Sequence, residues 1–170
     1  PSGDNDKEQV LTGLPQRLTT TGVELIRVGG AGGDDTLVVA TGGGDDVARV
    51  DGPQTVLFDR VVSNALPEIQ FGGLQTFRLD LGSGVDAATF VTANLFGSQN
   101  YQLASGFADR LTIEGINGAD NYLVTNPVGS SLVAVTDQNF GRTITAIGPS
   151  LAQLAIRTGD GTDLVTVDVG

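Results

Sequence analysis

The sequence predicts an all-β protein, specifically a right-handed parallel β-helix, or β-solenoid, with irregular coils. The first observation is a repeat: four times, an apolar strand residue is followed seven positions later by an aspartate, across a corner that contains glycine. The second is composition, because Gly supplies 25 of 170 residues, about double its usual ~7%. The third is that no long segment keeps a 3.6-residue apolar period, so little helix is expected.

The four repeats share the same spacing and differ in their corner residues. They are Val28 with Asp35, Leu79 with Asp86, Ile113 with Asp120, and Ile156 with Asp163. A fifth corner, TGGGDDVARV, carries Asp46 and follows the first corner by eleven residues. Since neighbouring strands lie about 4.8 Å apart, we expect equivalent residues of successive coils to stack into ladders.

Short runs rich in β-branched residues, separated by Gly, Pro and Asn, predict the strands. In chain order they are Leu25–Val28, Thr36–Ala40, Val47–Val50, Thr55–Val61, Glu68–Phe71, Thr76–Leu79, Ala88–Thr92, Tyr101–Ala104, Arg110–Ile113, Tyr122–Thr125, Leu132–Val135, Thr143–Ile147, Leu154–Arg157 and Leu164–Val169. Within each run, apolar and polar residues alternate, which predicts one buried and one solvent-facing side.

The domain boundary is predicted near residue 21. Residues 1–21 are polar, contain the only Lys and lack the corner motif, which indicates an N-terminal arm or cap that is partly flexible. Within them, Val10–Leu18 has enough apolar residues to pack as a strand, cap or arm. Residues 22–170 carry all the repeats and form the predicted β-solenoid domain.

The competing fold is an antiparallel β-sandwich or jelly roll. Its best argument is Asn117-Gly118, which stands between two strand-like runs and is typical of a two-residue hairpin turn. The other corners lack that dipeptide but keep the seven-residue spacing. The solenoid is therefore the favoured prediction.

Composition and charge exclude several classes of function. The net charge is -11 with a pI near 4.1, which argues against nucleic-acid binding. The chain has no His and no Cys, and its one Lys lies in the predicted arm, so most catalytic groups are missing and we expect no enzyme. No apolar run reaches the ~18 residues of a membrane-spanning helix.

The corners resemble the glycine- and aspartate-rich nonapeptide G-G-x-G-x-D-x-U-x of the secreted RTX calcium-binding proteins. Matches to this pattern occur in all five corners: Gly30, Gly33, Asp34, Asp35 and Leu37; Gly44, Asp45 and Asp46; Gly84 and Asp86; Gly118 and Asp120; Gly161 and Asp163. The wider phrase of strand, glycine corner and strand is also similar to the β-solenoid repeats of large secreted bacterial surface and adhesin-like proteins.

The resemblance implies calcium as a cofactor. Its candidate ligands are Asp34, Asp35, Asp45, Asp46, Asp86, Asp120 and Asp163. Calcium requires six to eight oxygen ligands, so an ion at a corner would need groups from adjacent coils. The alternative is that each Asp caps its corner by accepting hydrogen bonds from backbone amides.

The functional expectation is an extracellular, secreted structural protein. The chain starts at Pro1 without any Met, which favours either a cleaved secreted protein or a fragment of a longer stalk, and it closes with the strand-forming run Leu164–Gly170. Such a strand favours head-to-tail association into a homopolymer, the subunit of a filament or stalk. The alternative is an adhesin or carbohydrate-binding module that meets a cell-surface glycan through Val62–Pro67 or Phe96–Tyr101.

Overall fold

The computed structural model describes residues 8–12, 24–30, 33–52, 58–106, 108–127, 130–148 and 151–168. These residues form an all-β protein, as the sequence predicted, and the one helical element among them is a 3₁₀ turn at Thr92–Asn94. The strands are β1 (Glu8–Thr12), β2 (Leu25–Gly29), β3 (Thr36–Ala40), β4 (Val47–Asp51), β5 (Asp59–Ser63), β6 (Glu68–Gly72), β7 (Leu74–Asp80), β8 (Ala87–Val91), β9 (Ser98–Ala104), β10 (Arg110–Glu114), β11 (Asn121–Thr125), β12 (Leu132–Asp137), β13 (Arg142–Ile147), β14 (Gln153–Arg157) and β15 (Leu164–Asp168).

The strands form two mixed sheets in a sandwich-like arrangement. The eight-stranded sheet has the order β1-β2-β6-β5-β4-β8-β10-β14, and the seven-stranded sheet has the order β15-β11-β12-β13-β9-β7-β3. Most successive strands of the chain belong to different sheets, so the chain passes repeatedly from one sheet to the other. All five corners with the repeat motif are places where it crosses.

Pairing within the sheets is mainly parallel and in register. Nine pairings are parallel, and four are antiparallel. The antiparallel pairings arise from two inserted strands, β5 between β4 and β6 and β12 between β11 and β13. A wholly antiparallel sandwich or jelly roll does not describe these sheets.

The predicted hairpin at Asn117-Gly118 is absent from this part of the structure. The strands on either side of that dipeptide, β10 and β11, belong to different sheets. β11 instead pairs in parallel with β15 and antiparallel with β12. The Asn-Gly dipeptide therefore marks a corner between sheets, because β10 and β11 pair with other strands and not with each other.

One core lies between the sheets and follows the predicted alternation. Phe71 of β6 and Phe77 of β7 come from different sheets, and their rings stack with centroids 4.2 Å apart. Phe90 of β8 meets Tyr101 of β9 edge-on, again across the two sheets. Full burial of such side chains stabilises the fold by about 1.5–3 kcal/mol each, so these contacts fix how the sheets are paired.

Backbone packs directly on backbone where one corner stacks on another. A Cβ atom added to Gly82 would lie 1.6 Å from the carbonyl oxygen of Gly42, and Gly82 has φ +76. At Gly161, φ is +153 and an added Cβ would lie 2.2 Å from the carbonyl oxygen of Gly118. Only glycine meets both requirements, which explains why glycine recurs at the corners.

Each predicted strand overlaps a strand of the structure, and most ends agree to within two residues. β5 begins at Asp59 and extends to Ser63, later than the predicted Thr55–Val61, of which 55–57 lie outside the described residues. β9 begins at Ser98, before the predicted Tyr101. β1 overlaps the predicted Val10–Leu18 segment, whose remainder from 13 onward lies outside the described residues.

Candidate functional site

Three aspartates form one stack of corners where the chain passes from the seven-stranded to the eight-stranded sheet. We call Asp46, Asp86 and Asp109 the first corner stack. The backbone N–H of Asp46 donates to Asp86 Oδ1 at 2.8 Å, and the N–H of Asp86 donates to Asp109 Oδ1 at 3.1 Å. The carboxylates of Asp86 and Asp109 therefore each bind a backbone amide of the adjacent corner in the stack.

A second corner stack lies where the chain passes in the opposite direction, between β10 and β11 and between β14 and β15. The N–H of Asp120 donates to Asp163 Oδ1 at 3.0 Å. Asp120 Oδ2 accepts the N–H of Ile116 at 3.1 Å, which closes its own corner. Aspartate carboxylates therefore accept backbone amides both within one corner and between stacked corners.

The repeats do not all stack on one another, which corrects the expectation of a single ladder. Val28 pairs with Phe71, whereas Leu79 pairs with Val39 in the other sheet. The Asp86 corner consequently stacks on the Asp46 corner and not on the Asp35 corner. Two kinds of corner share one local sequence pattern, and the sheet order decides which of them meet.

The remaining predicted ligands lie at the surface. Asp34 and Asp45 are exposed, and Asp45 Oδ1 accepts the N–H of Val85 at 2.9 Å. Asp35 is partly buried, and its N–H donates to Gln75 Oε1 at 2.8 Å. At the Asp35 corner, Gln75 therefore supplies the acceptor that Asp86 and Asp163 supply at other corners.

Asp109 is a stack residue that the sequence pattern missed. It is 1% exposed and accepts the N–H of Gly106 at Oδ2 as well as the N–H of Asp86 at Oδ1. Its corner reads GFADRLTI, with the glycine three residues before the aspartate in place of two. The apolar alternation after Asp109 is the signal that could have identified it.

The stacked carboxylates carry an electrostatic cost. Burial raises the pKa of Asp86, and the nearby Asp109, Asp46 and Asp45 raise it further. Burial also raises the pKa of Asp120, with added contributions from Asp137 and Asp163. In both cases, backbone N–H groups act in the opposite direction because they favour the charged carboxylate.

Some carboxylate oxygens in these stacks have no hydrogen-bond partner within the described residues. They are Asp46 Oδ2, Asp86 Oδ2 and Asp120 Oδ1, all fully buried atoms. The same part of the chain contains no group of three or more acidic side chains arranged to hold a metal ion. The corner carboxylates thus act as backbone acceptors here, and the calcium sites stay a prediction.

A further buried polar cluster attaches the inserted strand β5. The hydroxyl of Tyr101 donates to Asp59 Oδ2, and the N–H of Phe96 donates to Asp59 Oδ1 at 2.7 Å. Tyr101 also accepts the N–H of Ser98 at 3.0 Å. Burial raises the pKa of the Asp59 carboxyl, and burial beside Asp59 raises the pKa of the Tyr101 hydroxyl.

A matching cluster attaches the inserted strand β12. Thr92 Oγ1 donates to Asp137 Oδ2 at 2.6 Å and lies 2.9 Å from the hydroxyl of Tyr122. Burial is the main cause that raises the pKa of Tyr122 to about 12. Neither cluster was predicted, because each joins residues from separate strands that share no local motif.

One end of the core is open to solvent. Val165 and Val167 of β15 stand in register with the buried Tyr122 and Val124, so they face the core side. They are nevertheless 42% and 60% exposed. In the adjacent β14, Leu154 and Ile156 are only partly buried, and we call these four residues the open end.

No protein family, characterised protein or solved structure matches this chain. Among the described residues, no helix has the length and apolar character needed to cross a membrane. The fold and the hydrogen bonds at the corners are therefore inferred from this chain alone.

Proposed function

We propose that this chain is an extracellular structural module, the subunit of a filament or stalk built by head-to-tail association of β-solenoid coils. The observation that carries the proposal is the open end, where the inward-facing Val165 and Val167 are exposed. Exposed apolar residues on an edge strand favour the addition of another strand. No catalytic role is proposed.

The solenoid description belongs to this proposal. It is supported by the parallel, in-register pairings between strands far apart in sequence, such as Leu25 with Glu68 and Arg110 with Gln153. The corner stacks repeat the same hydrogen bond at successive levels. Right-handed coiling is expected because parallel crossovers are right-handed in about 98% of cases.

Calcium is the proposed cofactor, with ions between stacked corners. The proposal rests on the RTX-like motif and on two pairs of adjacent carboxylates at separate corners, Asp34 with Asp35 and Asp45 with Asp46. The unpartnered oxygens of the buried stacks are a second support, because a bound cation would offset their charge. Binding would have to draw in backbone carbonyls or carboxylates from adjacent coils.

The experiment is electron microscopy of the purified chain in calcium and in chelator. Regular filaments in calcium that disperse in chelator are the expected result, and filaments in both conditions would leave assembly intact without the cation. Dispersed particles in both conditions at high concentration would overturn the assembly proposal.

An adhesin or carbohydrate-binding module is the second candidate. Phe96 is 49% exposed and Phe140 is 41% exposed, and the guanidinium of Arg142 lies 5.8 Å from the Phe96 ring centroid. Exposed aromatic rings beside an arginine are suited to stacking on a sugar ring. A glycan array with the natural chain and a Phe96→Ala variant tests this: binding that the variant loses supports it, and absence of any bound glycan overturns it.

A further inference from the structure

The two ends of the strand stack are complementary. At the open end, the sheet edges are β14 and β15, which are joined by the Asp163 corner. At the opposite end, the edges are β1 and β3, and β2 lies just inside β1. β2 and β3 are likewise joined by a repeat corner, the one that contains Asp35.

The number of strands fits the stacking of one copy on another. The eight-stranded sheet has seven strands from β2 to β14, and the other sheet has seven from β3 to β15. In each sheet, the two antiparallel pairings restore the original direction, so β14 is parallel to β2 and β15 is parallel to β3. A second copy shifted by seven strands would therefore bring β2 onto β14 and β3 onto β15 together.

The register of these two contacts is the same. Ile156 precedes Asp163 by seven residues, and Val28 precedes Asp35 by seven residues. If Ile156 pairs with Val28 of the second copy, then Asp163 aligns with Asp35 at the next corner. One register thus satisfies both sheets, as it does between the Asp120 and Asp163 coils of a single chain.

That register also matches apolar side chains. Leu154 and Ile156 would meet Ile26 and Val28, all partly buried residues at the margins of the core. Val165 and Val167 would meet Leu37, which is partly buried, and Val39, which is buried. The apolar residues of the open end would then be buried in a core that continues from one copy into the next.

The corner of the first coil has room for this contact. Within the chain, the carbonyl oxygen of Gly118 lies where a Cβ atom of Gly161 would project. At Gly33, the equivalent glycine of the Asp35 corner, no described atom lies within 4 Å of that position. The carbonyl of Gly161 from another copy could occupy this space.

β1 would block the docking of another copy in the eight-stranded sheet only. It pairs in parallel with β2, from Glu8 with Leu25 to Thr12 with Gly29, along the edge that β14 of another copy would use. Building on the proposed head-to-tail assembly, we infer that β1 is a removable cap: while it pairs with β2 it blocks docking, and its release lets the open end of one copy pair with the β2–β3 edge of the next.

The experiment compares full-length variants by sedimentation velocity over a range of concentrations. The release variant is Val10→Pro with Leu11→Pro, since amides of adjacent strand residues point to opposite edges and one of the two prolines must remove a bond to β2. The locked variant is Val10→Cys with Arg27→Cys, two positions paired in the register of β1 and β2 in a chain that has no other Cys. Neighbouring strands lie about 4.8 Å apart, which is within the usual Cα–Cα range of a disulfide. Arg27→Cys alone is the control for the locked variant.

The expected result is association at about tenfold lower concentration for the release variant and association of the locked variant only after reduction, because the cap lowers the fraction of binding-competent chains. Equal association of all forms would overturn the cap and leave the proposed assembly standing. No association by any form, including the release variant, would overturn both.

Disulfide trapping in the release background tests the register itself. Thr166→Cys in one chain is mixed with Val38→Cys in another, a pair that the proposed register places opposite each other. Ala40→Cys, two residues along β3, is the matched control. Preferential trapping by Val38→Cys supports the interface, and equal trapping by both, or by neither, overturns this register.

Discussion

At the scale of single residues, the corner aspartates act as side-chain acceptors that replace backbone pairing. The turn between two sheets interrupts the hydrogen-bond ladder, so a backbone amide at the corner needs another acceptor. Asp86 supplies one for Asp46, and Asp109 supplies one for Asp86. Aspartate suits the position because its short side chain reaches the neighbouring coil from a tight corner.

The acceptor role of Asp86 predicts different outcomes for alanine and asparagine. Asp86→Ala leaves the buried amide of Asp46 unpaired and should lower the free energy of unfolding by about 1–3 kcal/mol. Asp86→Asn keeps an oxygen acceptor and removes a buried charge, so it should cost less. Urea denaturation gives both values, and equal losses would show that the carboxylate has no acceptor role.

At the scale of elements, the inserted strands β5 and β12 each join two groups of parallel strands within one sheet. Each insertion begins or ends at a buried aspartate, Asp59 or Asp137, that a hydroxyl group holds. The carboxylate is deeply buried in both cases. The two insertions therefore depend on polar contacts that reach across the core.

The hydroxyl of Tyr101 is predicted to control the local stability of β5. Tyr101→Phe removes the donor to Asp59 and the acceptor for the Ser98 amide, with an expected cost of about 1–3 kcal/mol. Hydrogen exchange should therefore accelerate in Asp59–Ser63 more than in β8 or β10. Thr143→Val, which removes a hydroxyl from the outward Thr136 pair, is the control, and uniform acceleration in both variants would contradict the prediction.

At the scale of the whole molecule, buried carboxyl groups make the stability of the fold depend on pH. In a chain with a net charge of -11, six aspartates are buried among the residues that the structure describes: Asp46, Asp59, Asp86, Asp109, Asp120 and Asp137. The shifts found at Asp59, Asp86 and Asp120 all raise the pKa above its ordinary value of 3.8. Folding therefore favours the protonated forms of these three groups.

The fold is predicted to be more stable in mild acid than at neutral pH. A raised carboxyl pKa contributes stability that is fully present below 3.8 and is lost as the pH rises through the folded pKa. Asp51 acts oppositely, because ion pairing with Arg60 and Arg49 lowers its pKa and its contribution is lost below 3.8. Tm should therefore rise as the pH is lowered from 7 toward 4, and in a chain of this size each kcal/mol of added stability raises Tm by roughly 2–4 °C. An Asp86→Asn, Asp120→Asn variant should show a smaller rise, and a fall in Tm over this range would contradict the prediction.

Association between copies is predicted to depend on salt and calcium in separable ways. The proposed junction brings Asp163 of one copy to Asp35 of the next, and both copies are acidic. Raising NaCl to about 0.1 M, where the screening length is about 10 Å, should strengthen association. Calcium at matched ionic strength should strengthen it further if the corners bind the ion, and Asp163→Asn should reduce that added effect. Equal effects of the two salts would remove the calcium proposal and leave the stacking.

The sequence by itself determined the all-β class, nearly every strand and the aspartates at the corners, because alternation, glycine and turn chemistry act over a few residues. It could not decide which corners meet. The spacing of Leu79 and Asp86 is the same as that of Val28 and Asp35, yet Asp86 stacks on Asp46. The order of strands in each sheet depends on contacts between residues 40 or 43 positions apart in the chain. It also depends on the insertion of β5 and β12, whose sequence patterns do not differ from those of the other strands. The tertiary structure alone therefore placed Asp109 in the stack, joined Asp59 to Tyr101, and left the inward side of β15 exposed.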